Sequence, residues 1–231
     1  MRYLYAKNMK EKNSKKEIST KPGCNGENAE EAENKTLTAQ EKEEISRSRF
    51  NAVIGASMKF EGGYANSRFD MGGETNYGIT KLYMEEYKHA LPGGKTKAIK
   101  EITPDDALRL YKAMWDRYNL GMIKDERVAF ALNDYMINSY DRGVAKRTQK
   151  VLNKNGASLV VDGIFGPLTI AAINSCNAEW LIDEILKERH SHYIGIVRRR
   201  NDQINNLKGW LNRLNKVAQQ TGSGLRFQAS F

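Results

Sequence analysis

Apolar positions recur at helical spacing along most of the chain. From Glu44 onward Ile45, Phe50, Val53, Ile54, Met58 and Phe60 follow one another at helical intervals and run into Glu61, which the pattern places at the C-terminal end of a helix. Between Gly62 and Thr80 five glycines and alternating small polar residues break that pattern and predict a turn-rich segment or short hairpin. Thr103-Pro104-Asp105-Asp106 is a helix start, with Thr as cap, Pro at the first position and an acid at the third, and Leu108, Tyr111, Lys112, Trp115 and Tyr118 follow on one face. Val128 to Tyr140 is apolar on most sides, the signature of a buried central helix, and Asp141-Arg142-Gly143 is expected to end it. Val144 to Leu152 predicts a further helix. The turn Val161-Asp162-Gly163-Ile164-Phe165-Gly166 follows, with Pro167 opening a helix through Ile173. The last long helix is expected from Ala178 to Asn206, with Trp210, Leu211 and Leu214 continuing the apolar spacing after Gly209. The chain reads as mainly α, with one short β or turn-rich segment, a C-terminal helical subdomain and no internal repeat.

Composition changes this picture at the two ends. Residues 1–48 are rich in Lys, Glu, Asn and Ser and poor in apolar residues, a composition expected to stay disordered as a polar tail. The net charge of +9 suits an acidic polymer, a nucleic acid or an anionic surface. It is concentrated late: residues 186–231 hold nine Lys and Arg, Arg198-Arg199-Arg200 among them, against Glu188 and Asp202. Neither aromatic interleaving nor a nucleic-acid-binding module accompanies the charge, so nucleic acid is not the expected partner. Two cysteines, Cys24 and Cys176, are too few for a disulfide framework. No apolar run has the length of a signal-peptide core or a membrane span, so a chain made in the cytoplasm and not inserted in a membrane is expected.

The chemistry concentrates in residues 61–80. Hydrolysing a glycosidic bond needs an acid for the leaving oxygen and a carboxylate that supports the sugar cation or activates water. Glu61 at a helix end against an apolar body, with Asp70 and Glu74 in a polar glycine-rich loop, offers two environments that push carboxyl pKa values apart. Glu74 is either a second catalytic carboxylate or a residue that shapes the loop. Tyr64 and Tyr77 either line a sugar cleft or fill the gap between loop and helix. Trp115 and Trp180 fall on apolar stripes and are expected in the core, whereas Trp210 has a ligand-binding alternative. His190 and His192, two residues apart on a helix, point to different faces, so neither a metal site nor a cofactor is expected.

The stretch Glu61-Gly62-Gly63-Tyr64, then Asp70 with Gly72-Gly73, then Thr75-Asn76-Tyr77-Gly78-Ile79-Thr80 resembles the signature of glycoside hydrolase family 108, whose members are N-acetylmuramidases. The resemblance implies a lysozyme-like helical fold with Glu61 as the catalytic acid. The spacing is also similar to that of phage-type lysozymes, in which a Glu is followed after eight residues by an Asp and after five more by a Thr. Glu61 and Asp70 match this interval; five further residues reach Asn76, and Thr75 falls one short. Because a hydroxyl can hold a water, Thr75 is preferred as the third catalytic residue, with Tyr64, Glu74, Asn76 and Tyr77 binding substrate. Ser67-Arg68-Phe69-Asp70-Met71 departs from the Asp-Pro pair more usual in the family.

The second half resembles the peptidoglycan-binding domain that follows this catalytic domain, through Asn133-Asp134, Asn138, Gln149, Asp162 to Thr169, and Gly209-Trp210-Leu211-Asn212-Arg213. Together the resemblances span about residues 50–216. They imply a catalytic domain at 49–126 and a helical peptidoglycan-binding domain at 127–231. They also imply a monomeric, endolysin-like muramidase that hydrolyses the β-1,4 bond from N-acetylmuramic acid to N-acetylglucosamine, with inversion. Its partner would be bacterial peptidoglycan, reached through a holin, a secretion system or lysis. The alternatives are a non-catalytic peptidoglycan-binding or secretion-accessory protein, and a lytic transglycosylase.

Overall fold

Local chemistry at the helix starts accounts for much of the element order. The computed structural model describes residues 37–58, 63–66, 73–139 and 141–229. Its elements are α1 (Ala39–Met58), β1 (Ala65–Asn66), β2 (Glu74–Asn76), β3 (Ile79–Thr80), α2 (Lys81–Tyr87), α3 (Pro104–Arg117), α4 (Glu126–Ile137), α5 (Asp141–Lys154), α6 (Pro167–Ser175), α7 (Ala178–Arg199) and α8 (Ile204–Gln220). Thr103 and Asp106 form the expected capping box of α3: Asp106 N donates to Thr103 Oγ1 at 3.2 Å and Thr103 N donates to Asp106 Oδ2 at 2.9 Å. Asp125 caps α4 and Asn177 caps α7 more simply, each through a side-chain oxygen that accepts from amides of the first turn.

Helix α1 opens at Ala39, so residues 39–48 are helical although their composition suggested a tail. A capping pair, Thr38 with Glu41, starts it. Two polar residues then tie it to the core: Ser46 accepts from Trp115 Nε1 at 3.0 Å, and Arg49 Nη1 donates to the carbonyls of Gly121 and Ile123 at 2.7 and 2.9 Å. The approach is so close at Gly121 that a Cβ there would lie 2.5 Å from the Cα of Ser46.

Helix α4 is the centre of the molecule. Every residue from Val128 to Ile137 is buried, as the all-round apolar pattern predicts, and α1 packs on one side of it with α5, α7 and α8 on others. One continuous hydrophobic core, from Phe50 on α1 to Phe227 near the C-terminus, results. Within it Asp134 is fully buried. Arg189 Nη1 of α7 donates to Asp134 Oδ2 at 2.7 Å, and Arg213 of α8 grips both carboxylate oxygens through Nε and Nη2 at 2.8–3.2 Å. Burial pushes the Asp134 carboxyl up; the two guanidiniums outweigh this and hold it below the usual range.

Four elements depart from the periodicity, each for a visible reason. Asp141 starts α5 instead of ending α4, because its carboxylate accepts from the amide of Arg142 and from the hydroxyl of Tyr87. The last helix is two: α7 ends at Arg199, Arg200 adopts φ −140° and ψ 87°, and a 3-10 turn at Asn201–Gln203 redirects the chain so that Leu207, Leu211 and Leu214 face the core. Helix α8 therefore passes through Gly209 without a break. On α3 the buried stripe is Ala107, Leu110, Tyr111, Met114 and Trp115, which leaves Leu108 exposed and Lys112 bonded to Asp116. The short α2, not expected from spacing, is capped by Thr80.

Asp134→Ala leaves two guanidiniums without their carboxylate, one of them fully buried, and is expected to lower unfolding free energy by about 3–5 kcal/mol, measured by urea denaturation. Gly121→Ala forces α1 away from its neighbour and should cost about 1–3 kcal/mol in the same measurement.

Candidate active site

The segment that carries the candidate chemistry folds as a three-stranded antiparallel sheet in the order β1-β2-β3. Tyr77 and Gly78 connect β2 to β3 and both have positive φ, 51° and 74°. Two consecutive residues in that region make a type I′ turn, the two-residue connection whose twist matches an antiparallel pair. The turn sets the register: Asn76 lies opposite Ile79, and Thr75 opposite Thr80 and Ala65. Ile79 is fully buried and Asn76 nearly so, so their face of the sheet is inward. Thr75 and Thr80 lie on the other face and are half-buried.

Glu61 and Asp70 lie outside the described residues; the helix expected to lead into Glu61 is described as far as Met58. Thr75 occupies the middle of the central strand on the outward face. Asn76 points inward, where its Nδ2 donates to the carbonyls of Ile99 and Ile102 at 3.2 and 3.1 Å and so ties the hairpin to the 3-10 turn at Ile99–Glu101. Tyr77 offers its backbone carbonyl to the Tyr111 hydroxyl at 2.5 Å. Glu74 is half-buried at the start of β2. Tyr64, immediately before β1, is 52% exposed.

Behind the hairpin lies a layer of aromatic side chains that spacing alone did not reveal. Tyr83 packs on Tyr87 and Tyr111 at ring-centroid distances of 4.9 and 5.7 Å. Burial, reinforced by the neighbouring Asp141, pushes the Tyr83 and Tyr87 hydroxyls well above their ordinary range, so both stay protonated. The Tyr87 hydroxyl donates to Asp141, which links α2 to the start of α5. The signal for it was present as four tyrosines at 77, 83, 87 and 111, but only the fold brings them together. Beside this layer an open groove of about 780 Å³ runs between α1 and α3, with Phe50, Asn51, Tyr87, His89 and Arg109 on its walls.

In the second half, His190 and His192 do not share a site. His190 Nε2 lies 2.9 Å from the carbonyl of Gln228, whereas His192 packs beside Tyr135 and Tyr193. Burial, with Arg147, Arg199 and Arg189 nearby, lowers the His192 pKa to about 4. Trp115 is fully buried, Trp180 is partly buried against the core, and Trp210 stacks at 5.2 Å on Tyr193. Among the described residues no group of His, Cys, Asp and Glu is arranged to hold a metal ion, and no helix is long and apolar enough to cross a membrane.

A mainly helical body with a small β-sheet that follows its first helix in the chain, joined to a second helical half through one core, is the architecture of a lysozyme-type glycoside hydrolase with an appended peptidoglycan-binding half. Residues 54–139 match the family described as Glycosyl hydrolase 108, and residues 144–215 match the one described as Predicted Peptidoglycan domain. The seam between the two matches falls at the start of α5, and α4 lies within the first. The solved structure of Brucella abortus SagA is similar, with 25% identity and a TM-score of 0.62 over 76% of this chain and 94% of that one. No curated protein matches. Peptidoglycan is thus the partner, and the role is of the muramidase type.

Two measurements check this geometry. Asn76→Ala removes both donors from the Ile99 and Ile102 carbonyls and is expected to cost about 1–3 kcal/mol of stability, read from the urea midpoint. His192 binds its proton more weakly folded, at about 4, than in the unfolded chain, at 6.5. Its contribution is therefore intact above pH 6.5 and is lost as pH falls through 4. His192→Gln should flatten the decline of the urea midpoint between those two values.

Proposed function

We propose that the chain hydrolyses the β-1,4 bond from N-acetylmuramic acid to N-acetylglucosamine, with Glu61 as the general acid. Glu61 delivers its proton to the glycosidic oxygen as the bond breaks. A water held by Thr75 attacks from the opposite face and gives up its proton to the Asp70 carboxylate, which also supports the positive charge that develops on the sugar, so the product is inverted.

The observation that supports this reading most is the register of the hairpin. The lysozyme-like interval left Thr75 and Asn76 competing for the third role. The pairing puts Asn76 inward, with its amide committed to two carbonyls, and leaves the hydroxyl of Thr75 on the outward face. Asn76 in this reading positions the hairpin and does not touch sugar. Tyr64, exposed beside β1, offers an aromatic face to a pyranose ring, and Glu74 and Tyr77 shape the loop around it.

The division of labour follows the two halves. Residues 49–126 carry the catalysis and 127–231 hold the glycan, with α4 as the shared wall between them. The chain acts as a monomer, is made in the cytoplasm, and meets the wall after passage through a holin or secretion system or after lysis.

The test compares the protein with Glu61→Gln in clearing a peptidoglycan suspension. General acid catalysis is worth about 10²–10⁴ in rate; a loss of that size, with an unchanged unfolding midpoint, is expected. Equal lysis by the two forms would remove Glu61 from the mechanism.

A further inference from the structure

The hairpin site leaves unused a second charged feature, the solvent face of α5. Its sequence, Asp-Arg-Gly-Val-Ala-Lys-Arg-Thr-Gln-Lys-Val-Leu-Asn-Lys, has no acid after the buried Asp141. Val144, Ala145, Thr148, Gln149, Val151 and Leu152 are buried. Arg142, Lys146, Lys150 and Lys154 fall four residues apart on the opposite side, and all four are exposed. At about 1.5 Å of rise and about 100° of turn per residue they form a regular row of cations that climbs about 6 Å per step and about 18 Å in all while winding about a third of a turn around the helix.

Two observations separate this row from an ordinary solvated face. The four pair with no carboxylate among the described residues; the remaining cation of the helix, Arg147, is the one drawn inward, to Tyr135 and Glu188. The stems at one end are also held in place. Gly163 packs so tightly that a Cβ on it would lie 2.8 Å from Cγ of Arg142 and 3.0 Å from Cγ of Lys146. The buried Gln149 fixes that turn, donating to Asp162 Oδ1 and Ile164 O at 2.8 and 2.9 Å and accepting from the Gly163 amide at 2.9 Å. The nearby acids are Asp162, beside Arg142, and Glu188, on the side of Lys150 and Lys154. They reduce the positive potential without breaking the row.

We infer that the exposed face of α5 binds a linear polymer of phosphodiester-linked units associated with the cell wall. The row is one-dimensional and regular, which suits a chain with a single charge at each repeat. Three of its four members are lysines, compact cations that meet a phosphate without demanding bidentate geometry. The helix carries no aromatic residue on which a base or a sugar ring stacks, which distinguishes it from a surface for single-stranded nucleic acid. The inference rests on the wall being where the protein works, and not on Glu61: the polymer would hold the protein beside the glycan that the hairpin acts on.

The test uses the full chain carrying Glu61→Gln, so that binding is read without turnover, and titrates it with an oligomer of poly(glycerol phosphate) over a series of salt concentrations. Four contacts at about 0.7 per phosphate predict a slope of log K against log salt of about −2.8. Lys146→Gln with Lys150→Gln should halve the slope to about −1.4 and weaken binding at low salt about tenfold, with an unchanged circular-dichroism melt. Arg198→Gln with Arg199→Gln, an equal loss of charge on α7, should leave the slope as it was. An unchanged slope in the α5 variant, an equal fall in the α7 variant, or tighter binding to vesicles of anionic lipid or to single-stranded DNA of equal charge would overturn the proposal. Lysis retained by Glu61→Gln would contradict the catalytic reading alone.

Discussion

The carboxylate of Asp134 is the constraint on which the second half of the molecule is organised. It lies at the centre of a helix that is buried on all sides, where an ionised group is tolerated only if paired and hydrogen-bonded. The two arginines that meet it come from α7 and α8, so one side chain fixes the relative placement of three helices. Arg189 is further sandwiched between Tyr135 and Tyr193, with its Cζ 5.1 and 5.5 Å from their ring centroids. A buried triad of this kind does not by itself make a protein more stable than a well-packed apolar cluster would. What it fixes is placement: the Asp134 carboxylate meets both guanidiniums where α7 brings Arg189 and α8 brings Arg213 against α4.

The same helix passes the constraint to the hydrolase half. Helix α4 also packs against α1, and α1 is held by Ser46 and Arg49 to α3 and to the chain around Gly121. Helix α3 in turn holds the hairpin through the bond from Tyr111 to the carbonyl of Tyr77, and Asn76 ties the other side of the turn to Ile99 and Ile102. The outward row of Ala65, Thr75 and Thr80 is therefore supported from behind by groups whose own partners are buried. Loops that must hold reacting groups in a fixed geometry gain from such backing, since small displacements are costly to catalysis.

Much of this was legible in the sequence wherever a residue's demand is local. The capping box at Thr103, the buried helix around Asp134 and the turn-rich break after Gly62 follow from patterns a few residues long, and the fold has all three. The interval from Glu61 to Asp70, set in the longer Glu-Gly-Gly-Tyr signature, pointed to the glycosyl hydrolase family that residues 54–139 match. What was not legible depended on distant partners. Asp141 looks like a helix terminator until Tyr87 is seen to donate to it. The break at Arg200 is invisible to periodicity because the apolar spacing continues across it in a new direction. Asn76 and Thr75 are neighbours of similar polarity, and only the pairing of β2 with β3, together with carbonyls 23 and 26 residues away, separates an anchor from an outward hydroxyl. Nothing in the sequence marks the tyrosine layer as one unit.

The hydrolysis proposed at the hairpin, with a water positioned against the bond, leaves its mark on the glycan it cuts. The most direct measurement is the chemistry of the new glycan ends: purified peptidoglycan is digested to completion and the released fragments are analysed by mass spectrometry, with and without borohydride reduction. Hydrolysis gives fragments that end in reducing N-acetylmuramic acid and gain two hydrogens on reduction. Fragments that end in 1,6-anhydro-muramic acid, which are unchanged by borohydride, would contradict it, because such ends form when the sugar's own hydroxyl replaces the water.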